Sequence, residues 1–414
     1  MTSRKGRTEK GGITAMYNAE TKEKANDGKK LGFGFMRLPL TDPNDPGSVD
    51  EQKVNKMVDM YIDAGFNYID TSWIYHKYKS EEFVRKCVVD RFPRGELQIS
   101  SKMPIKFIKN ATIEKVDDVF HTQMKSCGVD YFDTYLMHGI NRASYETAQK
   151  IGCFEYMNEK VKQGVIGRFG ASTHDDPEFL EMMLNDHPEI EFVYLQVNYL
   201  DWDNPTIASR EMCEVARKHG KYILVMEPVK GGLLAKVPPE AEKLMKDYNP
   251  EASVASWAIR FAASAPAVDR VMSGMSTIEQ VADNIKTMRA FKPLNEEELT
   301  ICKQVAEIIH SKTEIPCTHC NYCLSKCPKH IPISDFFTLE NDFYLFEPGH
   351  IGGFGGKYQN LCMYHGARAG DCIECKQCES VCPQQLPIHE YLKIVSKNFD
   401  GWSIDKSHGT SENK

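Results

Sequence analysis

The chain has 414 residues, 41% of them hydrophobic and 26% charged, which suits one large folded domain plus a smaller one and excludes an unfolded chain. A formal net charge of -7 removes the electrostatic reason to expect a nucleic acid or an anionic membrane as partner. Residues 1–30 are polar and rich in Lys, Gly and Thr without the apolar stretch of a secretory signal, and no run of about 18 apolar residues follows, so a cytoplasmic chain with no membrane span is expected.

From Leu31 to Ala290 short β-rich runs alternate with stretches of helical period, in eight pairs. That order predicts a parallel sheet closed into a (β/α)8 TIM barrel over residues 31–293. The strands are predicted to end near Met36, Asp70, Lys102, His138, Ser172, Asn198, Met226 and Ser273. Two of the helices carry stop signals: Asn110 to Cys127 runs into Gly128, and Glu211 to His219 runs into Gly220.

The second, third and fourth strands end on Asp70, Lys102 and His138, with Tyr75 five positions beyond Asp70. In a barrel of this type the C-terminal rim carries the chemistry, and neighbouring strands lie only about 4.8 Å apart, so these side chains must converge. Asp70 can hold Lys102, whose charge is expected to lower the Tyr75 phenol from its ordinary value of about 10 and make it a general acid. His138 can donate a hydrogen bond that orients a substrate carbonyl. Each residue alone has an ordinary structural reading; the four in order at strand ends are hard to explain that way.

After Pro293, Asn295 to Lys312 reads as a charged amphipathic linker helix within residues 294–312, and a Cys- and Pro-dense region follows over 313–399, with a polar tail at 400–414. Cys317, Cys320, Cys323 and Cys327 precede Pro328, and Cys372, Cys375, Cys378 and Cys382 precede Pro383. Each set has the C-x2-C-x2-C-x3-C-P spacing of a two-cluster ferredoxin, in which the fourth Cys serves the other cluster. The expected cofactors are therefore two 4Fe-4S clusters, one on Cys317, Cys320, Cys323 and Cys382, the other on Cys372, Cys375, Cys378 and Cys327. Zinc is the competing reading, but it uses two Cys pairs per ion and has no need of the third Cys in each run. Cys87, Cys127, Cys153, Cys213, Cys302 and Cys362 stand singly and read as packed thiols.

The segments Gly65-Phe66-Asn67-Tyr68-Ile69-Asp70-Thr71, Tyr75, Ser80-Glu81, Lys102 and Tyr135-Leu136-Met137-His138 resemble the aldo/keto reductase family, and the whole chain resembles the branch with a C-terminal ferredoxin-like iron-sulfur domain. The resemblance implies catalysis by Asp70, Tyr75, Lys102 and His138, and NADPH or NADH bound along the rim without a Rossmann fingerprint. It implies that Ser172 and Gln196, with Asn198, hold the carboxamide. Glu227, Pro228, Gly231, Gly232 and Leu233 fall in the loop over the pyrophosphate, and Ser273, Gly274, Gln280, Asp283 and Asn284 fall at the adenosine end. Met226 stands where an aromatic ring often stacks, and Gly274 and Gln280 stand where basic residues often meet a 2'-phosphate. The function implied is hydride transfer from NAD(P)H to a small aldehyde or ketone. Its competitor is a one-electron adaptor serving a ferredoxin or flavoprotein partner through the clusters; a non-enzymatic binding subunit ranks last because the tetrad is intact.

Overall fold

The computed structural model describes residues 29–42, 45–204, 207–312, 314–317, 321–346, 351–382 and 384–402. The polar segment 1–30 up to residue 28, the tail 400–414 from residue 403, and Cys320 of the first cysteine run lie outside the described residues. The chain divides into two compact units, one made of Met1–Val197, Glu211–Pro228 and Ala262–Pro293, the other of Asn198–Arg210, Val229–Phe261 and Leu294–Lys414.

The first unit is built on eight strands: β1 Leu31–Gly34, β2 Tyr68–Asp70, β3 Gln98–Met103, β4 Phe132–Met137, β5 Ile166–Ser172, β6 Phe192–Gln196, β7 Tyr222–Met226 and β8 Val268–Gly274. They form a closed barrel in chain order, and the β1 to β8 pairing that seals it is parallel like the rest. Burial on both faces explains why β4 and β5 are buried along their whole length. Tyr68, Leu136, Phe192, Tyr194, Leu224 and Met272 fill the interior. Toward the opposite end, Arg270 donates to the Lys29 carbonyl at 2.6 Å, and its guanidinium lies over the Tyr68 ring at 5.0 Å from the centroid.

Local signals set the helix limits. The helix Ile113–Cys127 starts three residues later than its sequence pattern, where the Thr112 side chain takes the Lys115 N–H, and it stops at Gly128 with φ 69°. The linker helix Glu296–Ser311 is capped reciprocally by Asn295 and Glu298. Glu298 also binds Arg260 at 2.5 and 3.0 Å, which joins that helix to Val254–Ser264 in the second unit.

The second unit has two apolar cores. Trp257, Met245, Tyr199, Ile301, Val305 and Ile309 belong to one, while Phe336, Phe337, Tyr358, Leu392, Val395 and Phe399 belong to the other. Around the cysteine runs the described residues form the helices Ile333–Phe346, Ile351–His365 and Ile388–Phe399 with 3-10 turns, and no strand. Among the described residues no helix is long and apolar enough to cross a membrane.

Gly170 faces Phe192 across the β5–β6 register, and a Cβ there would stand 2.4 Å from the Phe192 ring. Gly170→Ala is expected to cost about 1–3 kcal/mol by overpacking, read as a lower denaturation midpoint at unchanged slope; a midpoint equal to wild type would show that the interior yields.

Candidate active site and cysteine loops

Asp70 closes β2 and Lys102 lies one residue from the end of β3. The register pairs Asp70 with Ser100, so Lys102 stands two residues further toward the rim and its long side chain reaches back. Its Nζ donates to Asp70 Oδ2 and to the Thr71 carbonyl, both at 2.6 Å, with side-chain exposures of 3% for Lys102 and 7% for Asp70. Tyr75 follows on the turn after β2, and Lys102 Nζ lies 5.0 Å from its ring centroid. The His138 ring meets the Tyr75 ring edge-on at 6.0 Å, and His138 Nδ1 is 3.0 Å from Ser72 Oγ. All four predicted rim residues are thus brought together within the first unit.

The charges do not behave entirely as the sequence suggested. Burial pushes the Tyr75 phenol above its ordinary value, and although Lys102 pulls it down, the net direction is up. The expected lowering is therefore corrected: removing the phenol from water weighs more than one cation beside it. Burial would strip the Lys102 proton, but Asp70 and then Tyr75 reverse this and hold the ammonium above its usual value. His138 is driven down to about 3, first by burial and then by Lys102, His174 and Lys106, so the imidazole is neutral at ordinary pH.

Sequence reasoning missed the shell behind Lys102. Glu81 Oε1 accepts from Ser101 Oγ at 2.7 Å and from Gln123 Nε2 at 2.8 Å, and Gln123 Nε2 also reaches the Lys102 carbonyl at 3.0 Å. The Tyr135 hydroxyl donates to Gln123 Oε1. Burial raises Glu81 to about 7 against these hydrogen bonds and the Lys102 charge. It also missed His174, two residues past the end of β5, which hydrogen-bonds Gln196 and feels Glu227. A Ser-Thr-His run after a strand carries no spacing signal that would have marked it.

Of the residues carried over for a dinucleotide, Ser172 Oγ accepts from the Gly139 N–H at 2.6 Å beside His138. Ser273 Oγ accepts from buried Asn284 at 2.7 Å, and Gln280 Oε1 takes the Ser276 N–H at 2.7 Å. Arg37 lays its stem over Gly274, where a Cβ would meet it at 3.3 Å. Glu227 adopts a positive φ of 53° just before Pro228. In the second unit, Asn198 spends its side chain on Asp201 at 2.7 Å and on the backbone N–H groups of Leu200 and Asp201, which makes it a turn-holding residue there. Gly231 and Gly232 have φ of 67° and 103°, conformations glycine adopts readily; the Gly232 N–H is taken by the Val229 carbonyl at 2.9 Å, and nothing stands within 4 Å of a Cβ at Gly232.

The two cysteine runs fold as copies of each other. Cys323 and Cys378 each open a 3-10 turn at φ -65° and -66°, and Cys327 and Cys382 each close it at φ -82° and -76°. Asn321 and Lys376 share a left-handed φ of 63° and 57°, as do His330 and Gln385 at 54° and 52°. Cys382 lines one cavity with Cys317 and Cys323. Cys327 acts electrostatically on both Cys372 and Cys378, and burial is the main cause that raises Cys378 to about 11. Among the described residues no three Cys, His or carboxylate side chains form a compact metal-holding group.

Comparison with known proteins gives a consistent assignment. The model of the Aldo/keto reductase family matches residues 30–307. An uncharacterized oxidoreductase of Bacillus subtilis, YqkF, is 24% identical over 329 residues, covering 71% of this chain and 96% of the relative. The holo form of aldo-keto reductase AKR11C1 from Bacillus halodurans superposes with a TM-score of 0.55 at 24% identity, over 67% of this chain and 91% of that one. An aldo-keto reductase from Klebsiella pneumoniae in complex with NADPH gives a TM-score of 0.53 at 18% identity, over 67% of this chain and 90% of that one.

Because Glu81 is raised in the folded state, its contribution to stability is complete below its unfolded value of about 4.5 and is lost as pH rises through about 7. Glu81→Gln is expected to flatten that loss, on the order of a few kcal/mol, in denaturation midpoints taken from pH 4.5 to 8. Parallel curves for variant and wild type would refute the assignment.

Proposed function

The chain belongs to the aldo/keto reductase family and is an oxidoreductase, and from that premise we propose that it reduces an aldehyde or ketone with NADPH, Tyr75 giving the proton. The observation that carries this reading is the buried Lys102 ammonium, held by Asp70 and Thr71 and facing Tyr75 beside a neutral His138. A bound NADPH would supply hydride chemistry at the carbonyl carbon. Tyr75 passes its proton to the carbonyl oxygen as negative charge develops there. A nascent alkoxide is far more basic than even a buried phenolate, so the raised phenol still yields its proton, and it does so only when the charge appears. Lys102 then stabilises the phenolate left behind. With His138 Nδ1 accepting from the Ser72 hydroxyl 3.0 Å away, the proton would sit on Nε2, where it can hold the carbonyl oxygen.

For the nicotinamide itself, Ser172 and Gln196 are the carboxamide partners, and Glu227 and Pro228 follow the end of β7, where Met226 pairs with Gln196. Ser273, Gly274, Gln280 and Asn284 take the adenosine end, where Arg37 over Gly274 offers a cation suited to a 2'-phosphate. Gly231, Gly232 and Leu233 supply a backbone able to approach the pyrophosphate.

We assign the two cysteine runs to two 4Fe-4S clusters, with ligands crossing between the runs. A shared cavity for Cys317, Cys323 and Cys382, and the nearness of Cys327 to Cys372 and Cys378, fit that donor set. Such clusters supply one-electron exchange. Cys375 is exposed, and Tyr322 and Ile373 on the same loops are 62% and 58% exposed, which suits a ferredoxin or flavoprotein docking there.

Tyr75→Phe is expected to lower kcat by at least about 100-fold while NADPH binding, followed by its fluorescence, stays within a few-fold of wild type. Near-normal turnover in this variant would defeat the tetrad reading. Anaerobically isolated protein should carry about eight iron and about eight acid-labile sulfide per chain. Cys382→Ser should disturb the cluster of Cys317, Cys320 and Cys323 more than the other, and equal loss of both, or zinc in place of iron, would refute the crossing.

A further inference from the structure

Lys106 lies on the 3-10 turn Ile105–Phe107 just past the end of β3. Its ammonium points back over the rim: a Cβ built on Gly139, the residue after His138, would stand 3.8 Å from Lys106 Nζ. Gly139 has a φ of 54° and donates to Ser172 Oγ, so the absence of a side chain there both permits that turn and leaves room for the ammonium. Lys106 is close enough to His138 and to His174 to hold both imidazoles down.

Lys106 forms no ion pair and no hydrogen bond among the described residues. The acidic group nearest in effect is Asp175, which is already occupied. Its oxygens accept the Arg142 and Asp176 backbone N–H groups at 3.2 and 3.0 Å, and the Arg142 guanidinium lies 3.9 Å away. Lys106 is exposed by surface area, so its ammonium is reachable from solvent, while the protein around it lowers its proton affinity. His174 is solvent-accessible yet crowded by protein, as expected of a group on a cleft floor. Glu227, just past the end of β7, acts electrostatically on His174, and its repulsion would keep a second anion away from the β7 side and on the Lys106 side.

We infer that Lys106, assisted by His174, forms a subsite for a carboxylate on the substrate, so that the carbonyl compound reduced at Tyr75 is an oxo acid. This rests on the reductase reading above. The ammonium would take the carboxylate as a charge-assisted pair at the mouth while the carbonyl reaches Tyr75 and His138.

The test uses the full chain and two substrates that differ by one carboxylate, 4-oxobutanoate and butanal, with wild type, Lys106→Met and Lys106→Arg. Wild type should favour 4-oxobutanoate in kcat/KM; Lys106→Met should lower that value by about 10–100-fold and change butanal by less than about threefold, and Lys106→Arg should keep most of the preference. Binding of butanoate, followed by broadening of its proton NMR signals with and without NADPH, reads the subsite independently of turnover. Equal loss on both substrates, or butanoate binding that ignores Lys106→Met, overturns the inference. Butanoate binding that requires Lys106 in a protein that reduces neither aldehyde would keep the subsite and remove the reductase reading instead.

Discussion

An ammonium inside a barrel is tolerable only if an opposite charge and a further acceptor are built for it, and the Lys102 to Asp70 pair meets both conditions. Each ion has given up water, and losing either partner typically costs about 3–5 kcal/mol because the other is left buried and unpaired. The pair is possible because β2 and β3 run parallel with Asp70 level with Ser100, which leaves the lysine enough chain to fold back. A one-residue slip of that register would turn Lys102 to the other face of the sheet. Glu81, Ser101 and Gln123 pack behind the same strand and hold the backbone from which the lysine projects.

From this cation the state of its neighbours follows. His138 cannot accept a second positive charge beside Lys102 in a dry site, so it stays neutral across the range where proteins work. Tyr75 stays a phenol because desolvation exceeds the help of the cation. A resting phenolate would have paired with Lys102 and left no proton to give. In the reaction proposed for this site, the buried environment would keep the acid loaded and the cation in reserve for the moment the proton leaves.

The barrel and its rim were legible because they rest on short-range signals. Strand ends can be read to within a few residues from apolar runs and helix stops, as Gly128 and Gly220 show, and the rim residues lie at those ends. What escaped the sequence depends on contacts between distant segments. Arg37 and Gly274 are far apart in the chain and meet because β1 pairs with β8, a neighbourhood that no local pattern announces. Asn198 could not be told from a ligand until its turn with Asp201 was seen. The sign at Tyr75 was misjudged because a sequence shows charges but not solvent.

The loop Lys230–Ala235 draws the second unit's two cores together. Leu234 is buried in the core of Trp257, and Leu233 packs against the core of Phe336 and Tyr358 that carries the cysteine runs. Between them and Val229 the backbone runs through three positive-φ residues, of which Lys230 at 46° is the strained one and Gly231 and Gly232 adopt theirs freely. Such a conformation persists only when its surroundings over-determine it. The region beyond the linker helix therefore contributes packing to a loop that an incoming anion would need preformed. A hydride carries two electrons and a 4Fe-4S cluster exchanges one, so nothing in the chemistry obliges the two halves of this chain to trade electrons. Within the second unit the packing of Leu233 has a mechanical consequence: whatever orders the cysteine region also steadies the glycine loop.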